Sequence, residues 1–234
     1  MTRERPILLS TPLVRAVLSG EKTQTRRLVK NTDEKTSRIY WAENIETVPR
    51  GKYTGWVREC DAPLALPMSC PFGVPGDRLW VRETWYDDNA LRKQEPTPTG
   101  PDKYIEYRAS HNCLAWEAGC PCRDDNGRRS WRPSLHMPRW ASRLTLEITD
   151  VRVERVQQIS ERDANAEGVE ELDGLLDEVE LCRMAKDIGG CAEDARTWFA
   201  VLWDSIYGQK PGIAWRDNPW VWVIDFKTRP LREG

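Results

Sequence analysis

Residues 142–159 read SRLTLEITDVRVERVQQI, and apolar and polar side chains alternate along most of this stretch. Because successive side chains of a β-strand point to opposite faces, this period of two predicts one long strand, or two strands joined at a bend near Asp150. Such alternation is typical of an antiparallel sheet with one buried face. The pattern therefore constrains the chain to a sheet-based core.

Other segments extend the predicted sheet. We expect strands in RPILLS, in residues 23–29, in 78–85, in KYIEYRAS and in NPWVWVIDF, and a hairpin in RIYWAEN and KYTGWVREC. The acidic residues 170–191 favour a helix or loop, and DARTWFAVLWDSIYG has apolar residues at helical spacing. The sum predicts an α+β, mainly β fold: a small antiparallel β-barrel with short flanking helices and loop insertions.

Two short helices carry recognisable end signals. TPLVRAVLSG has Thr11 as the expected N-cap, Pro12 at the first helical position and Gly20 just past the end. SERDANAEGV has Ser160 as N-cap, Asp163 as its capping-box partner and Gly168 as the stop. The second helix therefore places Glu167 in its last turn.

Composition limits the class of protein. A chain of 234 residues with 39% hydrophobic and 31% charged residues suits one elaborated globular domain, without a membrane partner. The N-terminal residues do not resemble a secretion leader, so a cytoplasmic location is expected, with the seven cysteines reduced. A net charge of −2 disfavours bulk coating of nucleic acid. Seven basic and two acidic residues in 1–30 could still meet a phosphate locally.

The chemistry must come from residues other than a common triad. Only His111 and His136 are present, and the chain has no GxSxG, Walker or GxGxxG motif. In SGEKTQTRRLVK, a lysine in an enclosed site could lose a proton and take one from a threonine, which makes Lys22 and Thr25 candidates. The alternative is a solvated lysine and an ordinary strand threonine. Alternation puts Thr25 with Arg27 on one face of the strand.

A metal site is a second candidate. His111, Cys113, Cys120 and Cys122, with Cys60 or Cys70 as further ligands, offer the imidazole and thiolates that zinc prefers. Their spacing matches no clean pair of C-x-x-C motifs, so an unliganded cysteine-bearing loop is the alternative. Four protein ligands would leave no open position, and the zinc would be structural.

Arginines and tryptophans are concentrated in WRPSLHMPRWASR, residues 131–143. Such a segment suits contact with phosphates and bases, with Arg132, Arg139 and Arg143 on the backbone. Arginine over tryptophan is equally a structural stacking arrangement. The twelve tryptophans of the chain likewise either fill a core or line a pocket for a base.

Three motifs together resemble the ASCH family of PUA-like β-barrels. GEKTQTRR (20–27) matches its G-x-K-x-x-T-x-R signature, and PGDRLWVRE (75–83) and ISERDANAEGV (159–169) follow in order. The phrases WRPSLHMPRWASRLTLEITDV and NPWVWVIDF resemble a longer subgroup found in bacteriophages and prophages, which would place the protein in the host cytoplasm. The resemblance implies one domain over 1–234, with insertions at about 31–72, 86–130 and 170–192.

The resemblance also implies a reaction. A small bacterial relative removes the acyl group of N4-acetylcytidine with a lysine, a threonine and a glutamate, which correspond here to Lys22, Thr25 and Glu167. Amide hydrolysis of an N4-acylated cytosine nucleoside or nucleotide is then expected, with no cofactor required. Arg27, Glu83, Arg139 and Arg143 are the expected substrate-binding residues, and Glu83 is also the reserve carboxylate.

Two other functions are open at the level of sequence. One is a non-catalytic module that binds RNA, single-stranded nucleic acid or modified DNA by taking a base into its cleft. The other is a ribonuclease that uses Lys22 and a nearby arginine to stabilise its transition state.

Overall fold

The computed structural model describes residues 2–30, 36–47, 51–60, 65–87, 105–111, 131–169, 178–191 and 193–229. Its strands are β1 (Glu4–Leu8), β2 (Gln24–Leu28), β3 (Thr36–Thr47), β4 (Gly51–Cys60), β5 (Ala65–Met68), β6 (Arg78–Arg82), β7 (Trp85–Asp87), β8 (Ile105–Tyr107), β9 (Thr145–Arg155) and β10 (Trp220–Arg229). The α-helices are α1 (Thr11–Ser19), α2 (Glu161–Ala166), α3 (Glu178–Asp187) and α4 (Ala195–Tyr207). Within these ranges no helix is long and apolar enough to span a bilayer.

The fold is thus a mixture of α and β structure with mainly sheet, as the alternation predicted. The main sheet has five strands in the order β1-β6-β9-β10-β2, and all neighbours are antiparallel except β1 and β6. Strand β9 is continuous, but its pairing with β10 is irregular between Asp150 and Ile148, opposite Asp225 and Phe226. This bulge lies at the bend predicted near Asp150.

Helices and a second sheet cover the two faces of the main sheet. On β10, Val221 and Val223 belong to an apolar cluster with Phe199 of α4. Trp222 and Ile224 belong to the opposite cluster, which includes residues of α1 and of the small sheet. The sheet is therefore buried on both sides where it carries β2 and β10.

Because β2 pairs with β10, its side chains are divided between the same two faces. Arg26 lies opposite Val223, and Thr25 lies opposite Ile224. Arg26 consequently faces the α4 side and Thr25 faces the α1 side. The predicted separation of alternate residues in TQTRR is confirmed.

Strands β1 and β2 are the two edges of the main sheet. The Arg27 guanidinium on β2 donates a hydrogen bond of 3.0 Å to the Leu8 carbonyl at the end of β1, so the two edges approach each other there. The strands that the structure describes do not form a closed barrel.

Two smaller sheets accompany the main one. Strands β3, β4 and β5 form an antiparallel sheet whose β3–β4 hairpin was predicted, and its Trp56 packs edge-on against Trp222, with ring centroids 6.0 Å apart. Strands β7 and β8 form a two-stranded sheet. The predicted core strand at 78–85 is interrupted, because β6 ends at Arg82 and Trp85 starts β7.

The helix ends agree with the sequence signals except at one N-cap and one capping box. Gly20 adopts φ +86° after α1, and the Ser160 hydroxyl accepts a hydrogen bond of 3.1 Å from the Asp163 amide. The N-cap of α1 is Ser10, so the prediction of Thr11 was wrong by one residue. The Asp163 side chain contacts Gln24 of β2 at 3.2 Å instead of completing a capping box.

Candidate active site

Backbone hydrogen bonds hold Lys22 between two helices. Its amide donates to the Ala16 carbonyl of α1 at 2.9 Å, and the next amide, of Thr23, donates to the Ala166 carbonyl of α2 at 2.9 Å. The left-handed turn at Gly20 makes the first of these bonds reachable, because the chain must reverse directly after the helix. Lys22 is only 1% exposed, so the side chain predicted at the entry of the strand is enclosed.

The Lys22 ammonium makes three hydrogen bonds. Nζ donates to the Gln24 carbonyl at 2.8 Å, to the Glu167 carbonyl at 2.8 Å and to Glu167 Oε2 at 2.7 Å. An ammonium has three donors, so the protonated form is fully satisfied in this conformation. Lys22 and Glu167, which are separated by 145 positions, therefore form a buried ion pair.

Burial sets the proton affinity of Lys22. Loss of water around Nζ lowers the pKa of Lys22 below its usual value, although the Glu167 carboxylate opposes this effect. The positive charges of Arg27 and Arg26 lower it further. The pair thus combines a lysine that releases its proton more readily than usual with a carboxylate at hydrogen-bond distance.

Glu167 caps α2 and has one oxygen to spare. Oε2 is bound by Lys22, whereas Oε1 accepts no hydrogen bond from any residue that the structure describes and lies 3.6 Å from Arg26 NH1. Glu167 is nevertheless buried: it is 5% exposed, compared with 1% for Lys22. A buried carboxylate oxygen without a donor can accept a proton without breaking an existing hydrogen bond.

Gly168 fixes the backbone beside this pair. It adopts φ +77°, and a Cβ at this position would lie 2.6 Å from Ala16 Cβ and 3.1 Å from Lys22 Cβ. Only glycine allows both the turn and the close packing of α1 against the end of α2. The approach of Glu167 to Lys22 therefore depends on the absence of a side chain at position 168.

Thr25 is close in sequence but makes a different contact. Its hydroxyl accepts a hydrogen bond of 2.8 Å from Arg27 NH1, and the side chain is fully buried. Lys22 Nζ reaches the Gln24 carbonyl, one peptide away, but makes no hydrogen bond to Thr25 Oγ1. The structure thus brings Lys22 and Glu167 together and leaves the threonine paired with Arg27.

A network of charged residues adjoins the ion pair on the α4 side. Arg26 is hydrogen-bonded to Gln24 Oε1 and lies 3.4 Å from Asp163 Oδ2, which is in turn 3.5 Å from Arg152 NH2. Arg152 also pairs with Asp225 and with Glu154. Sequence reasoning did not identify this network, although alternation along β9 placed Arg152 and Glu154 on one face and so was a usable signal.

Glu83 and Arg143 form a second ion pair, in which Glu83 is buried and Arg143 is half-buried. Arg143 Nε and NH2 donate to the two carboxylate oxygens at 2.9 Å each, and NH1 donates to Ser110 Oγ at 2.7 Å. The guanidinium also stacks 4.0 Å from the centre of the Tyr107 ring. Burial raises the pKa of Glu83. These two predicted substrate-binding residues contact each other, and every carboxylate oxygen has a donor.

Arg139 lies on a separate surface. Its Nε donates to Glu4 Oε2 at 3.0 Å, and its guanidinium is 5.9 Å from the Trp80 ring, over which Arg82 also stacks at 4.8 Å. Nearby in the chain, Trp140 and Leu135 are exposed. Arg139 therefore does not converge with the Lys22–Glu167 pair.

The zinc prediction falls partly outside the described residues. His111 Nδ1 lies 3.1 Å from Glu106 Oε2, and its ring packs edge-on against Trp131. Cys113, Cys120 and Cys122 lie outside the described residues, as does the side chain of Cys60. Cys70 is buried and unbridged. Among the residues described, no cluster of three His, Cys, Asp or Glu side chains could hold a metal ion.

A cavity of about 540 Å³ lies between the small sheet and β9. Its walls include Trp41 and Trp56 of the small sheet, Val74 of the following loop, and Asp150 and Arg152 of β9. None of the residues Lys22, Thr25 or Glu167 lines it. No sequence pattern predicted this cavity, because it arises from contact between distant segments.

Comparison with known proteins found no match. No family model, no curated protein and no solved structure matches this chain.

Proposed function

We propose that the protein hydrolyses the amide of an N4-acylated cytosine nucleoside or nucleotide, with Lys22, Thr25 and Glu167 as its catalytic residues. The observation that carries this proposal is the buried Lys22–Glu167 ion pair, with 2.7 Å between Nζ and Oε2. Motif resemblance paired these two residues in advance across 145 positions. An ion pair of this burial is costly to assemble and is weak evidence for stability, which favours a chemical role.

The reaction begins with the neutral form of Lys22. Thr25 Oγ1 attacks the acyl carbonyl carbon, or positions a water that does so, while Nζ takes the proton of the attacking hydroxyl. The resulting ammonium stabilises the oxyanion. The carbon–nitrogen bond then breaks, and Glu167 relays the proton from the Lys22 ammonium to the departing amine of cytosine, which restores the neutral lysine and the carboxylate. If threonine is the nucleophile, water hydrolyses the acyl-threonine and releases the carboxylic acid.

Burial makes the lysine suitable for this role. An amine with an ordinary pKa is almost fully protonated near neutral pH and is a poor base. Loss of hydration lowers the pKa of Lys22, and the charges of Arg26 and Arg27 act in the same direction. The fraction of neutral amine therefore increases at the pH of the reaction.

Substrate access requires a change at Arg27. Lys22 is 1% exposed and Thr25 is 0% exposed. Arg27 NH1 donates a hydrogen bond to the Thr25 hydroxyl. Arg27 itself is half-buried. We infer that Arg27 leaves Thr25 when the acyl group binds and then holds the substrate. Its bond to the Leu8 carbonyl is the contact most readily exchanged, since it lies at the exposed end.

The proposal includes the ASCH family and its PUA-like barrel. The five-stranded sheet, the antiparallel neighbours of β9 and the meeting of β1 with β2 at Leu8 and Arg27 support a barrel-like arrangement. A cytoplasmic location and a reaction without a cofactor belong to the same proposal.

The test is release of cytidine from N4-acetylcytidine, followed by chromatography. We expect turnover by the wild type, and loss of turnover on the order of 10²-fold to 10⁴-fold in Lys22→Met and in Glu167→Gln. Glu21→Gln, beside Lys22 but exposed, is the matched control and should retain full turnover. Absence of turnover by the folded wild type, or retention of it in Lys22→Met, would sink the proposal.

A non-catalytic nucleic-acid reader is the second candidate. The observation that favours it is the enclosure of Lys22 and Thr25, together with an exposed tryptophan, Trp140, that follows Arg139 in the chain. A labelled RNA that stays intact but is retained in a salt-sensitive gel shift would support this function. Cleavage of that RNA, lost in Lys22→Met, would instead identify a ribonuclease.

A further inference from the structure

Arg26 is a buried cation beside the Lys22–Glu167 pair. Its side chain is fully enclosed, with the guanidinium 5.8 Å from the centre of the Phe199 ring of α4. NH1 lies 3.6 Å from Glu167 Oε1, the carboxylate oxygen that Lys22 does not bind. This separation allows a strong charge interaction but is longer than a hydrogen bond. One carboxylate is therefore flanked by an amine that can lose its proton and by a guanidinium that stays charged.

Gln24 restrains Arg26 at this distance. Gln24 lies two residues before Arg26 on the same face of β2, and its Oε1 accepts a hydrogen bond from NH1. The Gln24 amide is itself fixed, because Nε2 donates to Asp163 Oδ1 at 3.2 Å and to Asp225 Oδ1 at 2.7 Å. The hydrogen bond of NH1 thus goes to Gln24 and not to Glu167, whose Oε1 has no donor among the described residues.

The backbone of Gln24 also holds Lys22. Its carbonyl accepts a hydrogen bond of 2.8 Å from Lys22 Nζ, while its side chain binds Arg26. The two cations then approach Glu167 from different sides: Nζ contacts Oε2, and NH1 lies beside Oε1. One residue of β2 therefore sets the positions of both cations around the carboxylate.

Arg26 and Arg152 belong to the same network but are not equivalent. Arg152 contacts Glu154 and Asp163, as Arg26 does, but its ion pairs within the described part of the chain do not include Glu167. The Arg152 side chain is partly exposed, whereas that of Arg26 is enclosed. Loss of Arg26 would therefore leave Glu154 and Asp163 with an arginine and take from Glu167 its second cation.

A permanent cation matters most when Lys22 is neutral. The Glu167 carboxylate then loses its ammonium partner, and a buried carboxylate without a cation is costly. Arg26 still compensates this charge, because a guanidinium does not lose its proton in a protein. Burial is the main cause that lowers the pKa of Lys22, Glu167 opposes it, and the positive charges of Arg27 and Arg26 lower it further.

The charged and titratable groups around this site come from several elements. Glu167 at the end of α2 and the two arginines of β2 act on Lys22. The groups that face those arginines from α2, β9, β10 and α4 are Asp163, Arg152, Glu154, Asp225 and Tyr207. Because Arg152 contacts all three carboxylates of this second set, a substitution at Arg26 changes chiefly the charge beside Glu167.

We propose that Arg26 is a positioning residue that supplies the permanent counter-charge of Glu167 and, held by Gln24, leaves Oε1 without a hydrogen bond. The carboxylate then passes on the proton that it receives from Lys22 and does not retain it, because a positive charge beside it disfavours the neutral carboxyl. No bond to Arg26 forms or breaks in this step. The role of Arg26 in turnover rests on the proposed function, whereas its effect on the charge of Lys22 rests on the geometry.

Carbon-13 NMR of the full chain, labelled at lysine, tests the effect on Lys22 directly. The Cε resonance of Lys22, identified by its absence in Lys22→Met, reports the loss of the proton from Nζ as pH rises. In Arg26→Met we expect the midpoint to move up by about one pH unit, because a positive charge leaves the surroundings of the amine.

Arg152→Met removes the other arginine of the network and is the matched control. It should move the Lys22 midpoint by less than half as much, because its ion pairs do not include Glu167. If Arg26→Met does not fold, Arg26→Gln removes the same charge with a polar side chain, and the same outcomes apply. No shift on loss of Arg26, or an equal shift in Arg152→Met, would overturn the proposal.

Turnover of N4-acetylcytidine measures the consequence for the reaction. Below the Lys22 midpoint, Arg26→Met should release cytidine on the order of tenfold more slowly than the wild type, and raising the pH should restore most of the loss, since neutral lysine is the base. Arg26→Lys keeps a cation at this position and should lose less. A loss of the same size at every pH would show a purely structural role and would contradict the proposal.

The two measurements separate failure of this proposal from failure of the proposed function. A Lys22 midpoint that moves in Arg26→Met, in a protein that never releases cytidine from N4-acetylcytidine, would retain Arg26 as the counter-charge and reject the hydrolase. Turnover with an unmoved midpoint would retain the hydrolase and reject this role of Arg26.

Discussion

Lys22 with Glu167 and Arg143 with Glu83 are both ion pairs with a buried carboxylate, but they differ in how completely their charges are satisfied. Arg143 binds both oxygens of Glu83 and is itself fixed by Ser110. Lys22 binds only one oxygen of Glu167, and the other oxygen accepts no hydrogen bond within the described part of the chain. A closed pair suits a scaffold, whereas a pair with a spare acceptor suits proton transfer.

The cations differ in a second respect. A guanidinium stays charged in proteins, so Arg143 cannot act as a base. The amine of Lys22 can lose its proton, and burial lowers its pKa. This difference supports the proposed chemical role of Lys22 and Glu167 and favours a structural role for Arg143 and Glu83.

The largest expected difference between the two pairs is in turnover. Lys22→Met should lower kcat for N4-acetylcytidine by on the order of 10³-fold, because it removes the base. Arg143→Met should leave kcat of the folded protein within about threefold, because it removes only a structural partner. Kinetics on protein shown to be folded by circular dichroism distinguish the two. A comparable loss in Arg143→Met would make Glu83 the catalytic carboxylate instead.

The free energy of unfolding should fall strongly when the Arg143–Glu83 pair is broken. Arg143→Met leaves Glu83 buried without a partner, which should lower the free energy of unfolding by about 3–5 kcal/mol. Burial raises the pKa of Glu83, so the folded state binds a proton more readily than the unfolded state. The stability deficit should therefore shrink as pH falls towards 5 and grow as pH rises. Urea unfolding at several pH values measures it; a deficit that grows on acidification would contradict this prediction.

The geometry of the Lys22–Glu167 pair depends on Gly168. Gly168→Ala should lower the free energy of unfolding by about 2–4 kcal/mol, because it adds a clash with Ala16 and Lys22 to the strain of a left-handed residue. Gly212→Ala, at φ +80° with no atom within 4 Å, isolates the backbone strain and should cost about 1–2 kcal/mol. Urea unfolding of both variants measures the difference, and equal losses would show that close packing at Gly168 is unimportant.

The smallest expected effect is on the pH dependence of stability. The pKa of Lys22 is lowered in the folded protein, so between that value and the usual value near 10.5 the unfolded state binds more protons. Stability from this group should rise with pH across that window, by at most about 1.4 kcal/mol per pH unit. Lys22→Met should remove the slope. An unaltered slope in the variant would mean that Lys22 titrates normally.

Local signals in the sequence predicted much of the fold. Alternation located β2, β9 and the β3–β4 hairpin, and the glycine signals located the ends of α1 and α2 at Gly20 and Gly168. These features depend on neighbouring residues, which the sequence displays. The parallel pairing of β1 with β6 was not predicted, because it depends on how distant segments meet.

The residues of the candidate site were predicted from the sequence to about the same extent as the fold. Motif resemblance paired Lys22 with Glu167, and the structure brings them together. The hydrogen bond from Arg27 to Thr25 was not foreseen, although alternation placed both on one face. The pairing of Arg143 with Glu83, the Arg26–Arg152 network and the cavity beside β9 arise from three-dimensional packing that no short motif encodes.

Under the proposed mechanism, Thr25 is a reagent and not only a buried strand residue. The most direct measurement is release of cytidine from N4-acetylcytidine by Thr25→Val, which keeps the shape of the side chain but removes its hydroxyl, beside Thr23→Val on the exposed neighbour. We expect Thr25→Val to lose turnover on the order of 10²-fold or more and Thr23→Val to match the wild type. Equal turnover by the two folded variants would contradict it.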